Sequence, residues 1–86
     1  MNKASSLADA QARLATNLRR LRESKGIAQE RLAWEAGVDR SYAGKIERGI
    51  ANPSLNVLCR IADLLEVDVS ALLQPVRGKT SERKRN

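Results

Sequence analysis

QERLAWEAGVDRSYAGKIERG, residues 29–49, is the stretch whose reading decides the fold. Leu32, Ala33 and Ala36 recur at the spacing of one helix face, which predicts a short helix over Gln29 to Ala36 stopped by Gly37. Asp39 is a good N-cap, because its carboxylate can accept from the free amides of a first turn. A second helix then runs to Arg48 and stops at Gly49. Ala33 is small where the two helices cross, and Leu32, Val38 and Ile46 fill the space between them. Two helices joined by a tight glycine turn have the layout of a helix-turn-helix.

The flanks extend this pattern with more helices. Upstream, Leu7, Leu14, Leu18 and Leu21 form one stripe of a helix from about Ser6 to Lys25, with Ser6 and Asp9 resembling a capping box. Gly26 ends it and Ile27 turns back to the core. Downstream, the loop Ile50, Ala51, Asn52, Pro53 leads to Ser54 as N-cap. Leu55, Leu58, Ile61, Ala62 and Leu65 continue as a fourth helix. Asp68 caps a short fifth helix through Leu73. The expectation is one all-α domain over residues 1–75, followed by a flexible basic tail over 76–86, VRGKTSERKRN, which has no apolar periodicity. No internal repeat is visible.

Composition agrees with a single small core. The 86 residues are 42% hydrophobic and 30% charged, with no Phe and one Trp, so the core is aliphatic. The single cysteine, Cys59, cannot form an internal disulfide, no apolar run is long enough to span a bilayer, and no signal peptide is visible. A soluble cytoplasmic protein is expected. The net charge of +6 is unevenly spread: residues 1–53 carry +4, residues 54–75 carry −2, and residues 76–86 carry +4. That distribution suits one face that meets a polyanion, although ordinary solvated charge gives the same totals. There is no histidine, no phosphate-binding glycine loop and no metal-ligand spacing, so neither an enzyme nor a cofactor is expected.

Read in order, LRRLRESKG at 18–26, the paired helices, IERG at 46–49, NPSL at 52–55 and a closing ALL at 71–73 resemble the Cro/C1 repressor family, also called XRE. The resemblance runs from about Leu14 to Leu73. It implies a compact five-helix bundle of the lambda-repressor-like kind, with the third helix in the major groove of double-stranded DNA. It also implies homodimers that read two half-sites of a pseudo-palindromic operator about one helical turn apart.

Site residues follow from that resemblance. Arg40, Ser41, Gly44 and Lys45 are expected on the exposed face of the third helix, since Ala43 and Ile46 take its buried face, and are the candidates for base contacts. Arg40 is foremost, because a guanidinium near the helix start can bond guanine at two points. Gln29 matches a residue that bonds a phosphate and braces the recognition helix. Tyr42 is read as a backbone or thymine-methyl contact rather than core. Arg48, Asn52 and Ser54 surround a loop able to hold a phosphate, with plain capping as the competing role. Arg19 and Arg20 are either phosphate contacts or a solvated face. Arg22 and Glu47 match a structural pair linking the first helix to the end of the third. Three departures stand out: Ala28 replaces the usual Ser or Thr cap, Ala43 is small, and Gly44 weakens its helix. Trp34, outward-looking on the second helix, is read as packing on neighbouring side-chain stems.

Val57, Leu64 and Val69 are apolar residues left over in the last two helices, and are either a dimer interface or extra core. The main alternative function is a protein-interaction module of the same fold, antitoxin-like or coactivator-like, with RNA polymerase or a toxin as partner. The basic Arg40 and Lys45 favour DNA over that alternative, and RNA is third, since no sheet offers stacking aromatics.

Overall fold

Short polar side chains set where most of the helices begin. The structure, a computed structural model, describes residues 6–76. It contains α1 (Leu7–Ser24), α2 (Gln29–Ala36), α3 (Arg40–Glu47), α4 (Leu55–Leu65) and a final 3-10 helix, Val69–Leu73. Ser6 Oγ accepts from the Asp9 amide at 3.1 Å, Asp39 Oδ1 from the Tyr42 amide at 2.8 Å, and Ser54 Oγ from the Val57 amide at 3.1 Å. Each bond satisfies an amide that the first turn otherwise leaves free. α2 is the exception, since Ala28 supplies no side-chain cap.

The expected fifth helix exists, but as a 3-10 helix rather than an α-helix. Five residues are too few to repay α-helical nucleation, and the tighter winding suits a short terminal turn. Its cap is as expected: Asp68 accepts from the Ser70 amide at 2.9 Å. No strand occurs among the described residues.

The core forms where α1 packs on α3 and the 3-10 helix, α2 on α3 and α4, and α4 on the 3-10 helix. Leu18, Leu32, Ile46, Ile61, Leu65 and Leu72 are its largest fully buried side chains. Ala33 and Ala43, also buried, let α2 and α3 approach closely. Gly37 ends α2 in the left-handed conformation at φ 76°, and a Cβ there would stand 2.6 Å from Arg60 Nη1. The left-handed turn therefore favours glycine, whereas Arg60, exposed and flexible, can move aside.

Val57, Leu64 and Val69 are half-buried and packed against this core. Trp34 is 82% exposed, so the neighbouring side-chain stems cover little of it, and it lines a surface hollow with Ala28, Glu30 and Arg31. The tail from residue 77 onward lies outside the described residues. Among those described, no helix is long and apolar enough to cross a membrane, and no cluster of potential metal ligands occurs.

Candidate nucleic-acid interface

α3 is eight residues long and shows two contrasting faces. Ala43, Ile46 and Glu47 turn inward, while Arg40, Ser41, Lys45 and Arg48 are exposed. Among the described residues Arg40, Lys45 and Arg48 have no carboxylate partner. The only carboxylate in α3, Glu47, is turned away from them and buried.

Glu47 is where three elements meet. Arg22 of α1 donates through Nε to Glu47 Oε2 at 2.5 Å and through Nη2 to Oε1 at 3.0 Å, a two-point pairing that fixes the angle between the helices. Gln29 of α2 donates through Nε2 to the same Oε1 at 3.1 Å. Arg19 Nη2 donates to the Glu47 carbonyl at 2.9 Å, which satisfies an open acceptor at the end of α3. Arg22 also reaches the Ile27 carbonyl at 2.8 Å, so one guanidinium ties α1, the α1–α2 turn and α3 together. The hydrogen bond to Glu47 holds the Arg22 proton more firmly than in an ordinary arginine, against the opposing cost of burial and with help from the charges of Glu47 and Glu23.

Gly44 is buried rather than exposed, which corrects its placement on the outward face. It shares an i, i+3 stripe with Glu47, and that stripe faces the start of α2. A Cβ on Gly44 would lie 3.3 Å from Arg48 Nη1 and 3.8 Å from Gln29 Oε1. The missing side chain thus leaves room for Gln29 and Arg48 to fold across the helix.

The remaining candidates separate by location. Arg20 donates to Asn17 Oδ1 at 3.1 Å, on the side of α1 that meets the 3-10 helix, whereas Arg19 lies by α3. Tyr42 is half-buried and packs partly on the core. Ser54 fills the capping role, and Asn52 is exposed in the loop before α4. Two residues with structural roles went unnoticed in the sequence. Asn17, buried, donates to the Leu72 and Gln74 carbonyls at 3.1 and 2.9 Å, and Gln11 donates to the Ala51 carbonyl at 2.7 Å. Both are polar residues inside a helix whose partners lie far along the chain.

Two helices crossing at small residues, with unpaired cations on the outer face of the second, define the helix-turn-helix class of DNA-binding folds. The chain belongs to the HTH_3 helix-turn-helix family, of XRE or Cro/C1 type, which matches residues 18–72. It is 36% identical over 67 residues to the HTH-type transcriptional regulator SutR of Escherichia coli, covering 78% of this chain and 38% of that protein. It is 43% identical over 56 residues to SlrR of Bacillus subtilis, covering 64% of this chain and 37% of SlrR. The chain therefore spans well under half the length of these two relatives. Among solved structures, the restriction-modification controller protein C.AhdI from Aeromonas hydrophila is similar with a TM-score of 0.68 at 40% identity, covering 72% of this chain and 94% of that one. The hypothetical transcription factor NHTF from Neisseria gives a TM-score of 0.75 at 33% identity, covering 95% and 94%.

Proposed function

We propose that the protein is a sequence-specific transcriptional regulator that binds a pseudo-palindromic operator as a homodimer, with α3 in the major groove. The observation that carries this reading is the unpaired cationic face of Arg40, Lys45 and Arg48 on a helix whose own carboxylate is buried against Arg22. Unpaired surface cations pay no cost of breaking an internal pair when they meet phosphate or guanine. Arg40, Ser41 and Lys45 read bases. Gln29, Arg19, Arg48 and Asn52 contact the backbone, with the Tyr42 hydroxyl and the Ser54 end of α4 as neighbours of the same strand. The relatives named as HTH-type transcriptional regulators support regulation of transcription. Two half-sites are needed because one helix of this size touches too few base pairs for strong discrimination.

Selection from a pool of random duplexes, run with the wild type and Arg40→Ala at two salt concentrations, tests this. The expected result is an enriched palindrome, with one base preference per half-site lost in the variant at a cost of about 1 to 3 kcal/mol. Salt-sensitive binding with no enriched sequence, unchanged in Arg40→Ala, would overturn it. The exposed indole of Trp34 favours a second reading, a protein-interaction module, because large exposed aromatics are common anchors of protein contacts. Loss of a captured partner in Trp34→Ala, with operator selection unchanged, would add that role.

A further inference from the structure

Leu7 and Leu73 are exposed, and together with Leu14, Pro53 and Leu58 they wall a groove of about 110 Å³ between the start of α1, the loop before α4 and the end of the 3-10 helix. Every residue lining it is uncharged. That is unusual on a chain in which 30% of residues are charged and the net charge is +6. Leu55 stands beside the groove as the first residue of α4, two positions after Pro53 and three before Leu58, and is 69% exposed. The surface thus holds an apolar hole and an apolar knob next to each other.

We propose that this surface is the self-association face, with Leu55 of each protomer seated in the groove of its partner. The inference rests on the homodimer reading above and names its interface. In a twofold dimer the same patch meets itself, so whatever one side presents the other must accept. A knob beside a hole meets that condition. A dry apolar cavity of about 150 Å³ holds a benzene ring, so the smaller groove suits a single aliphatic side chain. Charge selects the same occupant. Two copies each carrying +6 repel through most of their surfaces, whereas here an uncharged patch meets an uncharged patch with no ion left unpaired. DNA is a poor occupant, because no cation lines the groove and seven of its nine lining residues are apolar. Ala51, Asn52 and Pro53, from the loop that follows α3, form part of the groove's lining. Val57, Leu64 and Val69 lie half-buried against the core and present less free surface than Leu7 and Leu55.

Sedimentation equilibrium of the full chain without DNA tests this, comparing the wild type with Leu7→Gln/Leu55→Gln. Both leucines are exposed first residues of helices, so the double variant keeps the core and the net charge, and circular dichroism verifies its fold. The expected result is a wild-type dimer whose dissociation constant rises about tenfold or more in the variant. Binding of a single half-site duplex stays unchanged. A wild type that remains monomeric at millimolar concentration overturns the proposal, as does a folded variant that associates as tightly as the wild type. Because no DNA is present in the association measurement, failure of operator recognition registers only in the duplex arm.

Discussion

Among the described residues, Glu47 and Arg22 form the most buried pair of charges. Their side chains are 6% and 14% exposed, and the carboxylate also receives Gln29. Arg22→Ala leaves a buried carboxylate with only the Gln29 amide to answer it. The expected loss is about 3 kcal/mol, seen as a lowered denaturant midpoint, because removing one partner of a buried pair strands the other. The Arg31–Glu35 pair is a useful contrast: at 3.9 Å and with both side chains largely exposed, its removal costs only a few tenths of a kcal/mol.

The helices show which features a sequence makes legible. The Ser6, Asp39, Ser54 and Asp68 caps each act on an amide two or three residues away, so a local reading finds them and places the helix starts correctly. Asn17 and Gln11 act on carbonyls 40 to 57 residues away, a distance over which no spacing rule applies. Gly44 was misplaced for a related reason: helical periodicity identifies the stripe it shares with Glu47, but not that α2 covers that stripe. Trp34 is outward-looking as its position in the helix implies, but how little the neighbouring stems cover it depends on side-chain placement that spacing does not encode.

Local caps also make local predictions. Ala28 is exposed, has β-region backbone angles and leaves α2 uncapped, so Ala28→Ser should raise stability by about 1 kcal/mol in chemical denaturation. The Asp68 carboxyl is held below the usual carboxylate range by hydrogen bonds from the Ser70 hydroxyl and amide. A carboxyl with a depressed folded pKa contributes stability above its unfolded value and loses it as pH falls through the folded one. Denaturation midpoints measured from about pH 5 downward should therefore decline less steeply in Asp68→Ala than in the wild type.

Across the whole molecule, charge is divided by surface. The +4 of residues 1–53 includes α3 and the arginines of α1, whereas residues 54–75, from Ser54 through the 3-10 helix, carry −2. A duplex approaching the outer face of α3 meets the exposed cations of Arg40, Lys45 and Arg48, which attract it. As a proposed base contact, Lys45 should change the preferred site when replaced by alanine, whereas binding weakened about equally across sequences, with the salt slope lowered by about 1, would make it a phosphate contact instead. Titrations at several salt concentrations separate the two outcomes.

The inward grip on Glu47 has a consequence for how such a protein can change. α1 and α2 hold α3 through its one carboxylate and its last carbonyl, and none of those bonds involves Arg40, Ser41 or Lys45. The side chains proposed to read bases are thus free of structural duty. Replacing all three should leave stability within about 0.5 kcal/mol per site while exchanging one binding preference for another. A scaffold fastened from behind can diverge in what it recognises, by a few substitutions at a time, without ever having to pass through an unfolded ancestor.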